Sequence, residues 1–138
     1  MATISTFNWP VRVYYEDTDA GGVVYHSQYL NFMERARTEW LRHLGFHQTH
    51  LRDDLNILFV VHSMSLQFKK PARFDDCLVV SNQLTALGRG SFACHQTIFR
   101  DNTQDILIEA DVKIACVNAL TFKPTGIPAQ IKQSMESQ

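Results

Sequence analysis

An excess of charge of either sign is the first thing this sequence lacks. Across 138 residues, 13 lysines and arginines face 14 aspartates and glutamates, a formal net charge of −1. No basic field draws the chain onto nucleic acid or an anionic membrane. No apolar run approaches the ~20 residues of a spanning helix. The start, MATISTFNWPVRV, has no basic stretch followed by an apolar core, so no secretion signal is expected. Cysteine is scarce: Cys77, Cys94 and Cys116 are odd in number, widely spaced and without a CxxC pair. They are expected as small core residues in a reducing compartment, which points to the cytoplasm. Metal-ligand spacing is missing as well. His43, His47 and His50 span an expected helix end and loop with no cysteine nearby and no HExxH, so no metal is expected. Neither a GxSxG elbow nor a nucleotide-binding glycine fingerprint occurs, which leaves a serine hydrolase or a dinucleotide enzyme without support.

What remains is an ordinary globular composition, 45% hydrophobic and 20% charged, in a length that predicts one domain over residues 1–138. Its most informative stretch runs from Val13 to Leu44. Trp9 to Tyr15 reads as a first strand, with Pro10 tolerable near its start. Asp17-Thr18-Asp19-Ala20-Gly21-Gly22 is too rich in turn formers to continue it. A long amphipathic helix is expected from His26 or Ser27 to Leu44, with Ser27 as N-cap and Gly45 as its stop. Tyr29, Met33, Ala36, Trp40 and Leu44 recur at steps of three and four, widened by Leu30, Phe32 and Leu41 into one buried face. On the other side Glu34/Arg37 and Glu39/Arg42 are spaced to pair weakly.

Phe46 to Asn56 is polar and reads as a connection with room for a helical turn. From Ile57 the texture is β. Val60, His62, Met64, Leu66 and Phe68 share one expected face, with His62 as a core or pocket residue. Lys69-Lys70-Pro71-Ala72-Arg73 ends that strand and Asp75-Asp76 turns the chain into the next, Leu78 to Leu87, after which another carries Phe92, Cys94, Gln96 and Ile98. In the last, Ile106, Ile108, Ala110, Val112, Ile114 and Cys116 alternate against Glu109, Asp111 and Lys113. The tail after Pro124 is expected as a loop, a short helix and a frayed end. The order of strand, long helix and four closely spaced strands predicts an α+β fold with an antiparallel sheet and one face left for a partner chain.

Two acids and two glycines packed ahead of a helix start carry the chemistry. Such a start offers free N–H donors and partial positive charge. Either acid beside it, Asp17 or Asp19, is a candidate catalytic carboxylate. By itself Asp19 reads better as a turn acid that caps a helix or bonds nearby backbone N–H groups.

The run Tyr14-Tyr15-Glu16-Asp17-Thr18-Asp19-Ala20-Gly21-Gly22-Val23-Val24-Tyr25-His26 resembles the 4-hydroxybenzoyl-CoA thioesterase family of hotdog-fold proteins. Glu34-Arg35-Ala36-Arg37, Lys70-Pro71-Ala72-Arg73 with Asp76, and Ala115-Cys116-Val117 follow in matching order. Within the family the chain is similar to the branch of small bacterial acyl-CoA thioesterases associated with the Tol–Pal system. The resemblance covers roughly residues 9–128, the expected core of the domain. It implies a hotdog fold of about five antiparallel strands wrapped around one long helix, and a homodimer or homotetramer with sites at the subunit interface. It implies hydrolysis of an acyl-CoA to free acid and CoA without metal or organic cofactor, an acyl carrier protein being a second possible thiol carrier. Asp19 would be the catalytic carboxylate, and the backbone N–H of His26 the oxyanion donor. Gly22, Val23 and Tyr25 would border the substrate, and Lys70 and Arg89 would meet CoA phosphates. Lys69 and Arg73 are further candidates for those phosphates, and Glu34 could reach a partner's site.

The chemistry fits such a sparse site. A thiolate leaving group has a pKa of about 8.5, so no strong acid is needed to expel it. A carboxylate can activate water or attack the carbonyl, and sequence leaves both open. One backbone oxyanion donor contributes roughly 3–4 kcal/mol. The rival reading is a hotdog binding or scaffold protein that holds acyl-CoA or acyl carrier protein with little turnover.

Overall fold

Five strands and three α-helices occupy residues 5–138, the part of the chain described by the computed structural model. Residues 1–4, where the expected domain begins and on which the expectation about a secretion signal partly falls, lie outside the described residues. In chain order the elements are β1 (Thr6–Arg12), α1 (Gln28–His43), α2 (Gln48–Leu55), β2 (Ile57–Phe68), β3 (Cys77–Leu87), β4 (Ser91–Arg100), β5 (Ile106–Asn118) and α3 (Ala129–Glu136). The strands form one antiparallel sheet in the order β1-β3-β4-β5-β2, and α1 lies against it. This is the expected α+β hotdog fold.

The helical period of α1 decides what it buries. Tyr29, Phe32, Met33, Ala36, Trp40 and Leu41 are inside, and Trp40 meets Phe92 of β4 with ring centroids 5.7 Å apart. Each large apolar side chain so buried stabilises the fold by roughly 1.5–3 kcal/mol. Leu30, expected in that stripe, is 39% exposed. Ser27 occupies the N-cap position but makes no side-chain cap bond. Gly45 stops the helix as expected. At φ +101° it lets its own N–H reach Arg42 O at 3.0 Å and that of Phe46 reach Leu41 O at 2.9 Å, the paired bonds of a Schellman motif.

Four local expectations need correction. β1 ends at Arg12 rather than Tyr15, because Asp17 accepts the Tyr14 N–H at 2.9 Å and folds Tyr15–Asp17 into a 3₁₀ turn. The connection after α1 is a full eight-residue helix, α2, stopped by Asn56 at φ 57°. β2 does not turn back onto β3. It pairs with β5 at the sheet's far edge, and residues 69–76 carry the chain across the end of the sheet. A β-bulge between Val61 and Ser63 shifts the phase of β2 by one. Met64 and Leu66 therefore pack with Ile57 and Phe59 instead of Val60, and His62 is exposed.

Cys94 and Cys116 are buried as expected, whereas Cys77 is exposed at the start of β3. The tail docks. Ile131 and Met135 of α3 are buried, and Trp40 Nε1 donates to Gln138 Oε1 at 2.8 Å.

Candidate active site

The Asp17–Gly22 loop is built by its own acids. Asp17 is buried, and both carboxylate oxygens are taken, Oδ2 by Tyr14 N–H at 2.9 Å and Oδ1 by Gln28 Nε2 at 2.7 Å. Its carbonyl accepts Tyr25 N–H at 2.9 Å. Asp19 is exposed. Its Oδ1 accepts the Gly21 N–H at 2.8 Å, its carbonyl accepts Gly22 N–H at 3.0 Å, and its own N–H donates to Val23 O at 2.9 Å. Among the described residues Asp19 Oδ2 has no partner. Gly22 sits at φ +79°, the left-handed region that makes this tight return possible.

The segment after the loop is fixed from the opposite side. Val23 bridges to Arg73, and Val24 N–H donates to Ala72 O at 2.8 Å. Ala72 N–H in turn donates to the buried Tyr29 hydroxyl at 2.9 Å, and burial raises the pKa of that phenol. The His26 N–H, two residues ahead of α1, has no acceptor among the described residues. The His26 ring packs on Tyr25 with centroids 4.3 Å apart, and Tyr25 is half exposed.

His26 and Lys70 line one groove of about 250 Å³ with Val24, Tyr29 and Phe68. The Lys70 ammonium bonds Asp105 at 3.3 Å, and that contact holds the Asp105 carboxyl below its ordinary pKa. Lys69 pairs with Glu109 at 3.0 Å. Arg89 is elsewhere. The Asp17–Gly22 loop lies at the Cys77 end of β3, where Val13 N–H meets Asp76 O at 3.0 Å. Arg89 follows Leu87 at the other end of that 11-residue strand, about 33 Å away along an extended chain. Within one chain the fold brings Asp19, Gly22, Val23, Tyr25, His26 and Lys70 to one end and leaves Arg89 at the opposite one.

A second cavity, of about 450 Å³, lies between α1 and β2, lined among others by Leu30, Glu34, Arg37, Trp40, Phe59 and Phe92. Arg37 does not pair with Glu34 as its spacing suggested. It turns inward to Gln96 Oε1 at 2.9 Å, and burial lowers its pKa. Glu39 and Arg42 do pair, at 3.3 Å. The three loop-side histidines go separate ways: His43 packs on Phe7, His47 bonds Arg42, and His50 bonds Asp54. Among the described residues no group of three or more His, Cys, Asp or Glu side chains converges.

Sequence reasoning missed Gln28, Tyr29 and Arg100 as builders of this end. Arg100 bonds Asp76 at 3.1 Å and Pro71 O at 2.6 Å, and so holds the 71–76 segment. Only the folded chain brings residue 100 to residue 71. Gln28, one residue past the expected N-cap, carried no signal beyond being polar at a helix start.

A five-stranded antiparallel sheet around one long helix, with an acid-bearing loop braced against the helix start, defines a hotdog-fold protein. Residues 21–107 match the thioesterase superfamily. The acyl-CoA thioester hydrolase YbgC of Escherichia coli O6:H1 is 48% identical over 126 residues, 91% of this chain and 92% of its own length. The acyl-CoA thioesterase YbgC of Haemophilus influenzae is 43% identical over 126 residues, 91% of either chain. The crystal structure of a probable thioesterase from Bartonella henselae superposes with a TM-score of 0.85 at 36% identity, over 90% of this chain and 100% of that one. The chain belongs to the thioesterase superfamily and is a thioester hydrolase.

Proposed function

We propose that this chain hydrolyses acyl-CoA thioesters to a free carboxylic acid and CoA, with Asp19 and the His26 N–H as its chemical groups. One observation carries the reading. Asp19 Oδ1 is held by Gly21 N–H at 2.8 Å, which leaves its Oδ2 without a partner among the described residues. The His26 N–H is likewise unpaired there, at a helix start whose partial positive charge favours a developing oxyanion.

The carbonyl oxygen of the thioester accepts from the His26 N–H. Asp19 Oδ2 then takes a proton from water as the hydroxyl adds to the carbonyl carbon, or adds to that carbon itself. In the first course the tetrahedral oxyanion collapses, the C–S bond breaks, and the CoA thiolate takes up the proton. In the second, thiolate leaves a mixed anhydride that water hydrolyses, restoring the carboxylate. Oxygen-18 entering Asp19 in a single turnover in labelled water marks the second course. No step calls on a metal or organic cofactor.

Gly22 and Val23 offer bare backbone beside Asp19, and Tyr25 a wall. The 450 Å³ cavity along α1 takes the acyl group, with Leu30 at the end nearest His26. Lys70 meets CoA phosphates, and CoA is the thiol carrier; an acyl carrier protein presents the same thioester and belongs in the test.

A second copy of the chain is part of the proposal. β2 is a 12-residue edge strand, ILFVVHSMSLQF, without a charge or proline to protect it, whereas the other edge, β1, carries Pro10. Two β2 edges pairing antiparallel about a two-fold axis bring the second copy's Arg89 end beside this copy's Lys70 end. Arg89 then joins the phosphate contacts. A cytoplasmic enzyme is the reading that three unpaired cysteines support, with the Tol–Pal system as its setting by resemblance.

Thiol release from a panel of acyl-CoAs, short, long and aromatic, with an acyl carrier protein thioester beside them, tests the proposal. Saturable turnover of CoA thioesters is expected, and Phe59→Trp, which narrows the cavity, shifts the preference to shorter acyl groups. Binding without release above background would overturn the reading in favour of a scaffold that holds acyl-CoA.

A further inference from the structure

Asp17 is 5% exposed, yet it is a carboxylate. A buried carboxylate is costly unless each of its oxygens finds a donor. Here the donors come from two directions: Tyr14 N–H two residues past the end of β1 and Gln28 Nε2 in the first turn of α1. The amide of Gln28 is itself oriented, because Asn31 Nδ2 donates to its Oε1 at 2.8 Å and leaves Nε2 turned to Asp17. Asp17 O also accepts Tyr25 N–H at 2.9 Å. Asp19 lies two residues after Asp17, and His26 lies one residue after Tyr25 and two before Gln28. The carboxylate loop and the helix start are thus tied together on both flanks of the pair assigned to the chemistry.

We propose that the Asp17–Gln28 hydrogen bond is a positioning device that sets the Asp19 carboxylate against the His26 N–H, so that it governs kcat and not substrate affinity. The inference rests on the roles given to Asp19 and His26 above. Neither Asp17 nor Gln28 touches substrate; both act through the loop and helix start they join. A misplacement of about 1 Å between reacting groups costs up to a hundredfold in rate, so loosening this tie is felt in turnover.

The test uses three variants of the full chain with acyl-CoA as substrate. Gln28→Glu sets a second carboxylate against Asp17, and two carboxylates at this distance cannot both ionise. Gln28→Leu removes the donor without adding charge and serves where the glutamate variant fails to fold. Asp17→Asn/Gln28→Glu restores the bond with its polarity reversed: the asparagine amide donates to Glu, and its oxygen still accepts from Tyr14 N–H. The expected result is a kcat about 10- to 100-fold lower in Gln28→Glu and about 5- to 20-fold lower in Gln28→Leu, with KM within about threefold of wild type. The double variant recovers kcat to within about fivefold. A merely structural contact would not produce that split and rescue. Wild-type kcat in folded Gln28→Leu, a change confined to KM, or a double variant no better than Gln28→Glu would overturn the inference. Asp19→Asn runs alongside. If it keeps full activity, the reading beneath the inference fails and takes the inference with it. If it is inactive while Gln28→Leu is unimpaired, the positioning role alone fails.

Discussion

The Gly21 N–H meets Asp19 Oδ1 at 2.8 Å, and a β-carbon on Gly21 would stand 3.2 Å from that same oxygen. The glycine therefore both holds the carboxylate and leaves it room. Gly21→Ala should move the carboxylate by a few tenths of an ångström, lowering kcat about three- to tenfold with little change in thermal midpoint. Gly22→Ala meets no steric neighbour but forces φ +79° on an L-residue, at a cost of roughly 1–2 kcal/mol. Steady-state kinetics with thermal unfolding separates the two effects. Equal losses of stability in both variants would contradict this account of the turn.

Asn82 is the unpaired polar group of the core. It is 1% exposed, and among the described residues neither its Oδ1 nor its Nδ2 has a hydrogen-bond partner. Its neighbour Cys94 is only a weak sulfur partner. Asn82→Leu, similar in shape and apolar, should leave stability unchanged or raise it by up to about 2 kcal/mol. Chemical denaturation checks this, and a loss above about 1 kcal/mol would show that the amide has a partner in solution.

Alkaline pH should destabilise the fold. Burial pushes the Cys94 thiol from 9.0 up to about 12 and Cys116 up to about 11, and raises Tyr29. The native thiols keep their protons after the unfolded ones have lost them, so stability falls as pH climbs from about 9 towards about 12. Below 9 the contribution is constant. Cys94→Ala should flatten part of this decline. A thiol reagent at pH 8 should label the exposed Cys77 in the native protein and all three cysteines only in denaturant. Fast native labelling of Cys94 would contradict its burial.

Val61 is 48% exposed on the β2 edge. Val61→Lys sets charges of one sign face to face in the proposed pairing and should shift the protein to monomer in sedimentation equilibrium. Turnover should fall with it, because Arg89 of the second copy leaves the site, and KM for CoA thioesters should rise at least several-fold. A fully active monomer would remove the second copy from the mechanism.

Much of this was legible in the sequence, and what was not has a common cause. α1 declared itself because Tyr29, Met33, Ala36 and Trp40 keep one period, and Gly45 stands where the left-handed stop is needed. Phe92, Cys94, Gln96 and Ile98 alternate in β4 as they do in the string of letters. β2 was misread at His62 because one bulged residue inverts every later side chain and leaves no compositional mark. The pairing of β2 with β5 was hidden because neighbourhood in sequence does not determine neighbourhood in a sheet. At the site, the acid-glycine loop was visible as a motif. Gln28, Arg100 and the Tyr29 hydroxyl were not, since each acts across a gap that only folding closes.

Asp19→Asn tests most directly whether Asp19 is the general base or nucleophile of this thioester hydrolase. The substitution keeps size and shape and removes the charge. Thiol release from the best acyl-CoA and equilibrium binding of the same ligand are measured on wild type and variant together. The account predicts kcat lower by several orders of magnitude with binding retained. Equal turnover by both proteins would contradict it and move the chemistry away from this loop.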